Sequence, residues 1–263
     1  MSEGWYRLAT GLGRVVLRLL GITVRWRGEE HVPRTGPVVL ACVHGSFLDF
    51  LLVERAALAR GRLVRFLCRH DVWRAPVVGT AMDRMRHVPV DRAAPAAAYL
   101  RARRLLEQGE AVCVFPEAGI SPSFTVRAPM RGAAALARET GAPLVPVVVW
   151  GGQRVLTVGR DGRRPRLDLR GSHLVDVRFG SPSTVPEGAD LVAATEALGR
   201  TLTTMLESVQ RLPVHRPRDG EHAPWYPAHL GGHAPDRWTA DVLDDVPRSA
   251  VRPTWGPSAH PLP

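Results

Sequence analysis

The sequence predicts an α/β fold with a central, mostly buried sheet flanked by helices. Three observations carry that prediction. Val38–Val43, Ala111–Phe115 and Val145–Val149 are continuous apolar runs without alternation, as in strands covered on both faces. Segments of helical periodicity separate them. Hydrophobic residues make up 45% of the 263 positions, enough to bury a sizeable core and to exclude wholesale disorder.

The elements follow in chain order. Gly4–Leu20 carries Trp5, Leu8, Leu12, Val15, Val16, Leu19 and Leu20 at helical spacings, with Arg7, Arg14 and Arg18 on a separate stripe. Two readings fit this helix. It lies apolar side down in a membrane interface with its arginines at anionic headgroups, or it packs on the core with a solvated face. Strands are predicted at Val38–Val43, Leu63–Leu67, His87–Val90, Ala111–Phe115 and Leu144–Trp150, and helices at Leu48–Ala59, Ala94–Gln108 and Pro129–Glu139. Pro146 suggests a bulge or an edge position, because proline donates nothing to a ladder. His173–Phe179 alternates and reads as a later edge strand. Asp190–Arg211 reads as a closing helix with Asp190 as its cap. Beyond it, prolines recur too often for a long element. That tail reads as an extended wrap or a disordered extension, with at least Trp225–Trp238 docked. The expected organisation is an amphipathic interface helix over 1–24, the main domain over 25–211 and a Pro-rich extension over 212–263.

Charge and cysteine content narrow the chemistry. All 35 basic residues are arginine, against 25 acids, for a net charge of +10. The absence of lysine excludes Schiff-base and P-loop lysine chemistry. The excess favours anionic partners. The cations are dispersed and no nucleic-acid-binding motif appears, so nucleic acid is not expected among them. Cys42, Cys68 and Cys113 are too few for a disulfide framework. The histidines show no convincing metal-ligand spacing, and His215, His222, His229 and His233 read as scattered tail residues, so no metal is expected. Met1–Glu29 lacks the apolar core and cleavage site of a signal peptide, and no stretch approaches the ~20 apolar residues of a membrane span. These features point to a soluble or peripheral protein.

Four short blocks carry the chemistry. His44 follows an apolar strand and stands five residues before Asp49, which places a histidine base at a strand exit with a carboxylate in reach to fix its tautomer. A capping aspartate and a surface histidine fit the same residues. Asp91-Arg92 end a second strand, where arginine can fork onto a phosphate. Pro116-Glu117-Ala118-Gly119 fix a glutamate in a strand-end loop. Pro143–Gly151 holds the fourth block, around Pro146. Ser46 and Ser121 are candidate hydrolase nucleophiles, but Gly-x-Ser-x-Gly is absent.

In this order, His44-x4-Asp49, Val90-Asp91-Arg92, Phe115-Pro116-Glu117 and Val145-Pro146-Val147 resemble the glycerophospholipid acyltransferases, specifically the 1-acylglycerol-3-phosphate acyltransferases, over roughly residues 25–210. The resemblance implies the glycerol-3-phosphate acyltransferase-like fold. It also implies acyl transfer from acyl-CoA or acyl-carrier protein to a lysophospholipid hydroxyl, that of lysophosphatidate, peripherally at an anionic membrane surface on its cytoplasmic face. No cofactor is implied beyond the donor. His44 would be the general base and Asp49 its orienting partner, with Arg92, Glu117 and Gly119 shaping the site for the acceptor's phosphate. Ile120 stands where the family has an arginine. Arg69 stands in for a common lysine, and Arg131 for the lysine of a Lys-Gly pair. These departures leave another lysolipid or polar acceptor, or a non-catalytic lipid-binding scaffold, as alternatives.

Overall fold

The computed structural model describes residues 2–159, 165–168, 173–243 and 246–257. Helix α1 (Ser2–Leu19) leads into β1 (Ile22–Arg27), followed by β2 (Val38–Cys42), α2 (Asp49–Ala57), β3 (Val64–Arg69), α3 (Pro76–Arg84), β4 (Val88–Val90) and α4 (Ala96–Glu107). Then come β5 (Ala111–Val114), α5 (Gly132–Thr140), β6 (Leu144–Trp150), a hairpin of β7 (Leu156–Val158) and β8 (Pro165–Leu167), β9 (His173–Phe179), α6 (Leu191–Gln210) and the short α7 (Arg237–Leu243).

Seven strands form one sheet in the order β1-β9-β6-β2-β5-β3-β4. The run β6-β2-β5-β3-β4 is parallel throughout, whereas β9 meets β6 antiparallel. Strand β2 lies at the centre, and its five residues are all buried. Successive side chains alternate faces. Val38, Leu40 and Cys42 therefore join Leu48 and the α2 residues Leu52 and Val53 in one core. Val39 and Ala41 join Leu105, Leu136 and Leu202 of α4, α5 and α6 in the other. Such two-sided burial explains the unbroken apolar runs.

Two expectations are corrected here. His173–Phe179 is not an edge strand: it lies between β1 and β6, and β1 takes the edge. Pro146 is not at an edge or in a bulge. It pairs with Ala41 in fully buried β6, whose ladder with β9 begins only at Val147↔Phe179. Its carbonyl still accepts Gly180 N–H at 2.8 Å. The closing helix is capped as read, Asp190 Oδ1 accepting Val192 N–H at 2.9 Å.

Helix α1 buries Tyr6, Gly13 and Leu17. Its Trp5, Leu8, Leu12, Val15 and Leu19 face outward, Leu19 at 81% exposure. Among the described residues, no helix is long and apolar enough to cross a membrane. Within the tail, Ala223, Trp225, Tyr226, Ala234, Ala240, Val251 and Trp255 are buried, while Trp238 stays exposed.

Candidate active site

Because β2, β5, β3 and β4 are parallel neighbours, the segments after them open at one edge of the sheet. His44 lies just beyond β2, and Asp49 is the first residue of α2. Three donors converge on one oxygen, Asp49 Oδ2: His44 Nδ1 at 3.0 Å, and the Gly45 and Ser46 backbone N–H groups at 2.9 Å each. The carboxylate thus folds the turn around itself and fixes the ring. With Nδ1–H donated to Asp49, Nε2 carries the lone pair. The ring rests on Phe115, centroids 4.4 Å apart, and remains 22% exposed beside a buried Asp49.

Glu117 joins the two strand exits. Its Oε1 accepts His44 N–H at 2.8 Å and its Oε2 accepts Arg127 N–H at 2.6 Å. Burial pushes its carboxyl up to about 7, against the opposing pull of those two hydrogen bonds and of the Arg127 and His44 charges. Both oxygens are taken by backbone donors, so Glu117 holds the loop rather than facing a substrate. The next residue, Ala118, has φ 55°, and its carbonyl accepts from Arg92. A Cβ on Gly119 would come within 2.5 Å of Arg127 Nη1 and 3.8 Å of Arg92 Nη2. Glycine there lets two guanidinium groups close on one point of the backbone.

The surrounding hydrogen bonds exclude other roles. Ser46 Oγ donates to Leu156 O at 2.7 Å and accepts Leu48 N–H at 3.1 Å, and Ser121 is buried against Ser123 at 2.9 Å. Neither hydroxyl is placed as a nucleophile beside His44. The backbone N–H groups of His44 to Leu48, the obvious oxyanion donors, all have internal acceptors: Glu117, Asp49 twice, Leu156 O and Ser46 Oγ.

Residues 23–150 match the family model described as Acyltransferase. That stretch resembles the acyltransferase family. A 1-acyl-sn-glycerol-3-phosphate acyltransferase from Brassica napus is 30% identical over 148 residues, 55% of this chain and 42% of the relative. One from Pseudomonas aeruginosa is 26% identical over 155 residues, 57% of each chain. The human alpha enzyme of that name is 33% identical over 135 residues, 50% of this chain and 47% of the relative. The matched segment thus spans about half the length of these curated relatives. The crystal structure of the 1-acyl-sn-glycerophosphate (LPA) acyltransferase PlsC from Thermotoga maritima superposes with a TM-score of 0.66 at 18% identity, covering 78% of this chain and 80% of that one. It shares the fold.

Within the matched residues 23–150, the structure brings His44, Asp49, Arg92, Glu117 and Gly119 together. Arg131 stands at the start of α5, exposed, beside Met130, whose N–H donates to Pro116 O at 2.7 Å. Arg69 ends β3 on the same edge but points into solvent and pairs with Asp71 at 2.5 Å. Sequence reasoning missed Arg127. Its guanidinium is buried and folds back onto Gly119, two residues beyond Glu117. A cation ten residues from the glutamate, inside a Pro/Ser/Thr-rich loop, was the available signal. An apolar cavity of about 310 Å³ is lined by Phe124, Thr157, Val158, Pro224 and Trp225, and the Thr157 hydroxyl donates to Gly45 O at 2.8 Å. No three His, Cys, Asp or Glu side chains among the described residues are grouped to hold a metal ion.

Proposed function

We propose that this protein transfers a fatty acyl group from acyl-CoA or acyl-carrier protein to the free hydroxyl of lysophosphatidate, with His44 as general base oriented by Asp49. The observation that carries this reading is the pinned His44 Nδ1 at the exit of β2, next to a point flanked by Arg92 and Arg127. His44 Nε2 takes the acceptor hydroxyl's proton as its oxygen attacks the thioester carbonyl. The tetrahedral intermediate collapses, the C–S bond breaks, and the leaving thiolate regains the proton from Nε2. A positioned base of this kind contributes ~10²–10⁴ in rate. Arg92 and Arg127 hold the acceptor's phosphate, Arg127 supplying the charge that Ile120 does not. The apolar cavity beside Gly45 takes the acyl chain.

The outward stripe of α1, with exposed Arg7, Arg14 and Arg18 next to it, supports peripheral binding to an anionic membrane surface. The test is thiol release from acyl-CoA and from acyl-carrier protein on liposomes, comparing lysophosphatidate, glycerol 3-phosphate, other lysolipids and no acceptor. Acceptor-dependent release with lysophosphatidate preferred is the expected result. Release independent of acceptor, or none with any pair, rejects the reading.

A further inference from the structure

We propose that the C-terminal residues 237–243 and 246–257 position the arginine-bearing loop 118–131 for the acceptor's phosphate, with Arg237 and Trp255 as positioning residues. This rests on the acceptor site proposed above and extends it to chain outside the matched residues 23–150.

The contact with the loop is direct. Val251 N–H donates to Pro129 O at 2.9 Å, a carbonyl between Arg127 and Arg131. Ser249 Oγ lies 4.0 Å from Met130 Sδ. The segment is locked from behind by Trp255. Its indole Nε1–H donates to Thr203 Oγ1 at 3.1 Å, and its ring lies over Gly199 in the middle of α6. A Cβ at 199 would come within 2.0 Å of that ring. Glycine is disfavoured inside a helix, and here the space it frees is filled by the indole. Buried Arg237, on α7, donates Nη1–H to Trp255 O at 2.7 Å. Its charge is in range of Glu117 and Asp241, and Asp241 is in range of Arg127. The segment is thus anchored on α6 by Trp255, which Arg237 also holds, and touches the loop that carries Arg127 and Arg131 through Val251 and Ser249.

The loop needs such support. Ala118 and Phe124 both adopt positive φ, at 55° and 54°, a conformation that non-glycine residues hold only when their surroundings enforce it. Two guanidinium groups bind a phosphate well only when their spacing is preset, because otherwise binding must order them first.

The test uses Gly199→Ala in the full chain. Alanine favours helix at this position, so α6 persists while the indole is expelled. The expected result is a KM for lysophosphatidate raised about tenfold, with kcat and the donor KM within about twofold. Amide exchange at Arg127 and Met130, read without substrate, should accelerate by about tenfold or more. Trp255→Phe, which keeps an aromatic ring but loses the Nε1–H bond to Thr203, should change both in the same direction by less than Trp255→Ala. Unchanged acceptor KM and exchange in Gly199→Ala and Trp255→Ala would overturn the proposal, as would an equal loss of kcat with every acceptor. If the wild-type protein ignores lysophosphatidate, the proposed function falls, while the exchange measurement still decides whether the segment holds the loop.

Discussion

His44 and His87 both belong to clusters containing a buried carboxyl side chain, and only His44 keeps its ring partly exposed. His87 is buried under α1, edge-on to Tyr6 and Phe66 at centroid distances of 5.9 and 5.6 Å. Its Nδ1 accepts Phe66 N–H at 3.1 Å, and burial, with the nearby Arg65 charge, lowers its pKa to about 3. It is a permanently neutral acceptor. Glu54, in the same cluster, is pushed up by burial to about 8. The Tyr6 hydroxyl hydrogen is shared between Val64 O and Glu54 Oε2, the latter at 2.9 Å, and Oε2 also accepts Val64 N–H at 3.2 Å, so these donors oppose the burial that raises the carboxyl. At the other site the carboxylate is buried instead of the ring, and three donors meet it. Burial without a matching charge silences a histidine. Burial of its charged partner, with the ring left at the surface, leaves Nε2 open to solvent, as the proposed base requires.

The contrast can be broken at either end. The largest effect is expected from His44→Ala: thiol release should fall by ~10²–10⁴ with the melting temperature little changed. Activity above a few per cent of wild type would remove His44 from the chemistry. Asp49→Asn keeps an oxygen for Gly45 and Ser46 but turns the ring's tautomer, so kcat should fall by about 10²-fold. A wild-type rate would reduce Asp49 to organising the turn. His87→Leu leaves Phe66 N–H without its acceptor. It should lower unfolding free energy by about 1–3 kcal/mol in urea titrations while leaving kcat unchanged.

The remaining prediction concerns pH. Glu54 is raised from 4.5 to about 8 on folding, so between those values the unfolded chain ionises while the native one stays protonated. Stability from this group is complete below the unfolded value and falls by on the order of 1 kcal/mol per pH unit until the folded value is reached. Glu54→Gln should flatten that slope. Parallel stability curves for wild type and variant between pH 5 and 8 would show that Glu54 is ionised in the native protein.

How much of this was legible in the sequence depended on range. His44 and Asp49 were readable because five residues and one turn bring them together. Strands β2, β5 and β6 were readable because two-sided burial leaves no polar position in them. Arg127 was not, since its guanidinium meets Gly119 only after the chain has doubled back through Phe124. Helix α3 escaped because it buries only Gly79 and Met82 and so has no apolar stripe to reveal it. Strand β9 was read as an edge because alternation signals one covered face but says nothing about which strand comes to lie beside it. Ile22–Arg27 alternates in burial as well and is the true edge.

The sheet's strand order also sets a timetable for synthesis. Val38 pairs with Ala111, Val39 with Leu144, and Ile22 with His173. At ~5–20 residues per second, apolar β2 leaves the ribosome seconds before its first partner exists and waits again for its second. Strand β1 waits longest of all, because β9 must be made before it has a neighbour. Helix α1, by contrast, packs on α2 and α3 and bonds Glu54 and Val64 through Tyr6, so it has a seat long before β9 exists, and the exposed partner during that interval is the unpaired strand itself.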